Sequence, residues 1–313
     1  MKNYHEKKVK VALIIVNYKS SFLLPILFKS IFKNVKNINR YKILVVDNNS
    51  NDKNLLKVKR EFSKYKNIEY IFLKKNLGFA GGNNVGIKKI KADYYCLINP
   101  DIILINDAVN ILIEALSKNK RYGIGGPLIY SSDNKLIYKY YKIGGVLYEI
   151  SKIIKLDWIY NLFYKEKYKI QNKIIEVDWV TGAFFMIKAD VIKKIGYMDE
   201  SFFLYSEESD YCIKAKKEGF KIIVAKEGKV IHIEEGSTER TSGIRLYYQY
   251  RSKLKFIKRH YCYISYLVLK TFYFIDIILK FFIRFIFSII ISHNKDILYY
   301  YIKLLKEFIN NEI

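Results

Sequence analysis

Four short β-branched runs, at residues 10–16, 42–46, 68–73 and 94–98, alternate with helix-patterned segments along the first third of the chain. Strands joined through helices cannot pair as hairpins, so the pattern predicts a mainly parallel sheet with helices on both faces. The first helical pattern opens at Leu23, with Ser20 and Ser21 placed to cap it. A second covers 55–62, after the turn string Asn48-Asn49-Ser50-Asn51, and a third covers 85–90, after a glycine-rich loop. In such sheets ligands bind beyond the carboxyl ends of the strands. The residues standing there are Asn17, Asp47, Asn76 and the Asn99-Pro100-Asp101 turn. From about 130 to 176 the pattern is less regular, and residues 157–163 read as a short helix or a flap. It resumes at 177–187, followed by a helix near 211–217 and strands at 221–224 and 230–233.

Composition narrows the class. With 313 residues, 51% hydrophobic and 27% charged, the chain is no disordered polymer and can bury a core without disulfides or a structural metal. Cys96, Cys212 and Cys262 fit no zinc spacing and read as reduced, buried thiols of a cytosolic protein. The apolar run after Lys7, Lys8 and Lys10 is too short for a signal peptide and lacks a cleavage site, so it is a first strand. Lys and Arg number 55 against 30 Asp and Glu, a net charge of +25. That excess favours nucleic acid, a lipid surface or phosphorylated substrates as partners.

Several polar strings carry candidate chemistry. Gly78-Phe79-Ala80-Gly81-Gly82-Asn83-Asn84-Val85-Gly86 fits neither common nucleotide fingerprint. A glycine cluster after a strand still lets a ligand approach N–H groups at a helix start, although an ordinary turn has the same composition. Asp47 either makes an Asx-turn or accepts hydrogen bonds from a base edge or sugar hydroxyl. Asp101, behind the stiff Pro100, either closes a turn or offers a carboxylate to a hard divalent cation. Glu207-Glu208-Ser209-Asp210 follows the apolar Phe202-Phe203-Leu204-Tyr205. Neighbouring carboxylates and an apolar wall both raise a pKa, which suits a general base; the same acids also favour a helix start. His232 ends an apolar strand and gains meaning only if the fold brings it to Asp101.

Taken in chain order, these strings resemble glycosyltransferase family 2, whose fold is GT-A. The set is Val16-Asn17-Tyr18, Val46-Asp47-Asn48-Asn49-Ser50, the run from Asn76 to Asn84, Asn99-Pro100-Asp101, Thr181-Gly182-Ala183-Phe184-Phe185-Met186, Met198-Asp199-Glu200-Ser201-Phe202-Phe203-Leu204-Tyr205, the acidic cluster and Val230-Ile231-His232. It spans roughly residues 8–235 and is most similar to the rhamnosyltransferase-like branch of bacterial surface polysaccharide synthesis, as are Tyr247-Tyr248 and Arg251. The resemblance implies an α/β, Rossmann-like GT-A domain over residues 1–240, with an irregular insert at about 130–176. It implies an inverting transferase that moves a sugar from a nucleotide-diphosphate donor, dTDP-rhamnose or a UDP-sugar, to a hydroxyl of a glycan or lipid-linked glycan. Asn17 and Asp47 would hold base and ribose, and Asn76, Gly81, Gly82, Asn83 and Asn84 would line the diphosphate. Asn99 stands where the family's D-x-D motif has its first acid, leaving Asp101 and His232 as ligands for Mg²⁺ or Mn²⁺. Gly182 would admit the donor sugar. Glu208 aligns with the family base, an Asp in Glu-Asp-x-Asp, and Glu207 is the alternative.

Residues 241–313 form a basic, aromatic, helical tail. Arg245, Arg251, Lys253, Lys255, Lys258 and Arg259 occur with no acid between them, and Asp276, Lys280 and Arg284 are spaced four apart on one helical face. No stretch reaches spanning length, so an amphipathic helix on an anionic membrane surface is expected, or a helix packed on the catalytic domain. Phe272, Phe274, Phe281, Phe282, Phe285 and Phe287 would supply apolar area while Lys270, Lys280 and Arg284 reach headgroups. The expected place is the cytoplasmic face of the cell membrane. A nucleic-acid-binding protein is the main rival, but the charge falls on no recognisable binding module. A membrane-associated scaffold with a degenerate transferase domain is the other, prompted by Asn99 and Glu208.

Overall fold

The computed structural model describes residues 9–137, 143–158, 172–233, 243–290, 295–310 and 312. Strand β1 (Val9–Asn17) leads through α1 (Leu24–Asn34) to β2 (Lys42–Asp47), then α2 (Lys53–Glu61), β3 (Ile68–Phe72), α3 (Gly78–Lys89) and β4 (Ala92–Ile98). Next come β5 (Ile102–Leu104), α4 (Ala108–Ser117), β6 (Tyr122–Tyr130), α5 (Val146–Ile153), β7 (Ile174–Val177), β8 (Phe184–Lys188), α6 (Ala189–Ile195), α7 (Glu207–Lys217) and β9 (Lys221–His232). Three helices close the chain: α8 (Gly243–His260), α9 (Tyr263–Ile290) and α10 (Lys295–Ile309).

The strands form one sheet in the order β3-β2-β1-β4-β8-β6-β9-β5, with β7 also on β9. The reason is visible in the strand sequences. Val11, Leu13 and Ile15 face one core while Ala12 and Ile14 face another, so a strand buried on both faces must be apolar throughout. Helices α1, α2 and α4 cover the first core; α3, α6 and α7 cover the second.

The α/β expectation holds, with four corrections. Pairs β1–β2, β2–β3, β1–β4 and β6–β9 are parallel, but β4–β8, β6–β8, β5–β9 and β7–β9 are antiparallel, so the sheet is mixed. The glycine-rich segment is not a loop but the first two turns of α3. The two strands expected near 221–233 are one, with its register against β6 shifted between Ala225 and Lys229. Cys96 and Cys212 are buried, but Cys262 is exposed. The expected flap lies mostly outside the described residues.

The described residues divide into two compact units, the sheet with α1–α4, α6 and α7, and a helical unit of α5 and α8–α10. The second has its own core of Tyr247, Tyr250, Leu254, Ile277, Tyr301, Leu304 and Phe308. Acids enter it only with partners. Lys253 Nζ lies 2.8 Å from Glu149 Oε1, and Lys280 Nζ lies 2.7 Å from Asp276 Oδ2. Tyr250 donates to the same Asp276 oxygen and Tyr247 donates to Glu307. Phe274 and Phe281 pack against this core, and Lys280 turns inward, contrary to their expected place on a lipid-facing side. The side chain of Phe287 lies outside the described residues. No described helix is long and apolar enough to cross a membrane.

Candidate functional site

Strand order reverses between β1 and β4, because the chain builds β2 and β3 on one side of β1 and β4 on the other. Crevices open at the carboxyl ends of strands at such a switch. There β1 and β2 finish in register, Asn17 beside Asp47. Asn17 Nδ2 donates to Asp47 Oδ1 at 2.7 Å and to Ser50 Oγ at 3.2 Å. Ser20 Oγ donates to Asn17 Oδ1 at 3.1 Å, and the Ser50 hydroxyl donates to Asp47. All four side chains are buried. Neither Ser20 nor Ser21 caps α1: Ser20 is committed to Asn17 and Ser21 to Asp52. Lys19, Asn49 and Asn51 have φ of 54°, 60° and 50°. Asn tolerates that region, while Lys19 is held there against its preference, a form of strain that gathers at functional sites.

Asn48 ties this corner to α3, its Nδ2 donating to Gly78 O at 2.9 Å and its Oδ1 accepting from Leu77 N–H at 2.8 Å. Asn76 Oδ1 accepts from Gly78 N–H at 2.9 Å. The glycines set how close the helix lies. A Cβ on Gly82 would stand 2.8 Å from Val16 Cγ1, and one on Gly78, whose φ is +71°, would stand 2.1 Å from Phe203 O. Glycine therefore allows α3 to rest directly on β1. Gly81 faces the Leu77 side chain. Asn84 donates to Met198 O at 2.8 Å and to Glu200 Oε1 at 3.0 Å, and accepts from Met198 N–H at 3.1 Å. Asn17, Asp47 and Asn76 thus gather at one corner, while Gly81, Gly82 and Asn84 are buried in contacts with the protein itself.

Beside β4, Asn99 N–H donates to Ala183 O at 2.9 Å, and the Phe79 ring occupies the space a Cβ on Gly182 would need. The pairing of β5 with β9 sets Ile102 opposite His232, so His232 Nε2 comes to 3.1 Å from Asp101 Oδ2. Asp101 Oδ1 and His232 Nδ1 are buried without hydrogen-bond partners among the described residues. The Asp101 carboxylate and His232 Nε2, 3.1 Å apart, fit a divalent cation as half a site. No group of three His, Cys, Asp or Glu side chains that could hold a metal exists among the described residues, so phosphate oxygens of a substrate would have to complete the shell.

Glu207 and Glu208 open α7 directly after Tyr205 and Ser206, whose φ values are 69° and 66°. Two successive non-glycine residues in this region fix an unusual approach to the helix. The Oε2 atoms of both glutamates are buried without hydrogen-bond partners among the described residues. Burial raises the Glu208 carboxyl to about 7. Burial, then the neighbouring Glu208, pushes Glu207 well above the usual carboxylate range. A carboxyl that changes protonation near neutrality can both accept and release a proton at working pH. Sequence reasoning misses Ser50 and Asn48 as parts of the corner, although an Asx-turn spacing from Asp47 to Ser50 signals them.

Comparison with known proteins adds the family context. The model of "Glycosyl transferase family 2" matches residues 12–196, more than half of the chain. The low-salt glycan biosynthesis hexosyltransferase Agl10 of Haloferax volcanii is 26% identical over 248 residues, 78% of this chain and 74% of its own length. Among solved structures, GalNAc-T7 with UDP, GalNAc and Mn²⁺ aligns at TM-score 0.56 and 14% identity, over 81% of this chain and 51% of that one. S. aureus TarS 1-349 in complex with UDP gives 0.55 at 14% identity, over 84% and 69%. The mannosyltransferase PcManGT of Pyrobaculum calidifontis, with GDP-Man and Mn²⁺, gives 0.55 at 11%, over 80% and 64%. This chain thus spans about half of the GalNAc-T7 chain, and these structural likenesses speak to the GT-A fold.

Proposed function

The chain belongs to glycosyl transferase family 2 and is a nucleotide-sugar glycosyltransferase, and from that premise we propose that it transfers a sugar, with inversion, to a hydroxyl of a glycan or lipid-linked glycan in cell-surface polysaccharide synthesis. Support comes chiefly from Glu208, a carboxyl raised to about 7 at the start of α7. In this reading Glu208 takes the proton from the acceptor hydroxyl, that oxygen bonds to the anomeric carbon, and the bond from this carbon to the diphosphate oxygen breaks. A single displacement with a single base inverts the centre. Glu207 stays protonated beside it and keeps a second negative charge away.

Asp47 receives base and ribose, with Asn17, Ser20 and Ser50 fixing its orientation. Asn76 and Asn99 border the diphosphate. Gly82 acts by seating α3 on β1, and Asn84 by holding the segment that leads towards the base. Asp101 and His232 would hold Mg²⁺ or Mn²⁺, and that ion, when bound, stabilises negative charge on the departing diphosphate. UDP and GDP-Man in the GT-A neighbours support the donor class. An acceptor carried on lipid would bring the reaction to a membrane surface, on the cytoplasmic side where nucleotide sugars are made.

The test is calorimetric titration with UDP and dTDP, with Mn²⁺ or with excess EDTA. Binding is expected to weaken about tenfold or more in EDTA and in Asp101→Ala, a loss of at least about 1.4 kcal/mol. Undiminished binding in EDTA removes the metal from the proposal. Absence of binding by any nucleoside diphosphate removes the donor site.

A further inference from the structure

We propose that the solvent face of α9 lies flat on an anionic lipid surface, and that this apolar face makes the contact while the side of the helix that carries Leu269, Ile277 and the Asp276–Lys280 pair packs on the protein's own core. The inference rests on the proposed lipid-linked acceptor for its purpose, but its test involves no sugar.

At 3.6 residues per turn, Ile264, Val268, Ile275, Leu279, Phe282 and Ile286 fall on one stripe, about 33 Å long at 1.5 Å per residue. Their exposure runs from 38% at Val268 to 74% at Ile264. No charged residue interrupts that stripe, since Lys270, Asp276, Lys280 and Arg284 project from the opposite arc. Asp276 and Lys280 bind each other and Tyr250 there, and Ile277 on the same side is fully buried. An ordinary surface helix packs one apolar stripe and leaves a polar face to water; α9 packs Tyr266, Leu269 and Ile277 inward together with the Asp276–Lys280 pair and still leaves this second apolar stripe uncovered. Contiguous apolar surface of this extent marks an interaction site.

The helix carries too many charges to span a bilayer, which leaves a contact parallel to the surface. Charge selects the occupant. Residues 243–313 hold twelve Lys and Arg against four Asp and Glu, in a chain of net charge +25. Two copies of so basic a chain repel, whereas anionic headgroups attract each Lys or Arg near them. Exposed Lys258 and Arg259 precede the stripe, and Tyr263, 72% exposed, begins α9 beside it. Tyrosine beside basic residues suits the headgroup level, where one end of a side chain is apolar and the other wet.

The experiment is co-sedimentation of the full-length protein with phosphatidylcholine vesicles, with and without phosphatidylglycerol. The comparison protein is the double variant Leu279→Glu, Phe282→Glu, whose fold is monitored by thermal unfolding and nucleotide binding. Wild type is expected to bind the anionic vesicles, and about 0.5 M salt to weaken but not abolish binding. The variant is expected to partition about tenfold less or weaker still, with unfolding and nucleotide binding unchanged. Wild type that fails to bind anionic vesicles at low salt, or a variant that binds as well as wild type, overturns the proposal. So does a vesicle-free dimer that the variant dissolves, if vesicle binding is absent, because the occupant is then a second copy. Vesicle binding without transferase activity defeats the proposed function and leaves this inference standing.

Discussion

The buried acids of the helical unit each have a side-chain partner, whereas the sheet unit, which pairs Asp47, Asp101 and Asp210, buries Glu207 and Glu208 side by side. In the helical unit, Asp276 has Lys280 and Tyr250, Glu149 has Lys253, and Glu307 has Tyr247 with Arg251 at 3.7 Å. In the sheet unit, Glu207 and Glu208 have no ion pair among the described residues, and their Oε2 atoms, like those of Glu149 and Glu307, lack a hydrogen-bond partner. A buried charge that is paired fixes helices against each other; an unpaired one shifts its pKa instead. The contrast separates acids that hold the fold from acids available for chemistry, without reference to sequence motifs.

The largest expected effect comes from removing a member of the second kind. Glu208→Gln should lower transfer on the order of 10²–10⁴-fold, with nucleotide binding retained by calorimetry. In the wild type, transfer should rise about tenfold per pH unit up to about 7 and then level, because the base must be ionised and its carboxyl is raised to about 7. Stability must move the other way. A carboxyl raised from 4.5 in the folded state favours folding below 4.5 and loses that advantage as pH climbs through about 7. Glu208→Gln should therefore be more stable than wild type at pH 8, by up to about 3 kcal/mol, and equal to it at pH 4. Chemical denaturation at the two pH values reads this, and a variant less stable at pH 8 breaks the contrast. If Glu207→Gln is inactive while Glu208→Gln is not, the base is the neighbouring residue.

Removing a partner from the helical unit should have a smaller effect of the opposite sign. Lys280→Met leaves Asp276 with the Tyr250 hydroxyl alone and should lower stability by about 1–2 kcal/mol, discounted because Lys280 is 39% exposed. A neutral result in the same denaturation assay would mean that the pair is ornamental. The smallest effect is expected on the solvent face of the same helix. Ile275→Glu, at a site 47% exposed, should shift stability by no more than about 0.5 kcal/mol, while lipid binding falls. Destabilisation larger than that at Ile275 would show the stripe to be covered in solution.

The row of polar strand ends was legible because each apolar run stops at one polar residue, and parallel pairing then sets Asn17 beside Asp47. The meeting of His232 with Asp101 was only conditional in the sequence, since 131 positions separate them. Antiparallel pairing of the short β5 with the end of β9 decides it. The glycine-rich segment misleads because each glycine disfavours a helix interior by about 1 kcal/mol. Close seating on Val16 reverses that local preference, a cross-chain contact that no local pattern contains.

By itself the sequence determined the α/β class, the strand ends that border the site and the amphipathic character of the tail. Each follows from local periodicity, which fixes what faces what within one element. Tertiary structure alone decided the antiparallel half of the sheet, the loss of hydrogen-bond partners around Glu207 and Glu208, and the side of α9 that meets water. A helix with an apolar side and a charged side can be buried either way. In α9 Tyr250 offers its hydroxyl to Asp276 and Lys280, so that ion pair packs inward beside Leu269 and Ile277 and the apolar stripe is left outside.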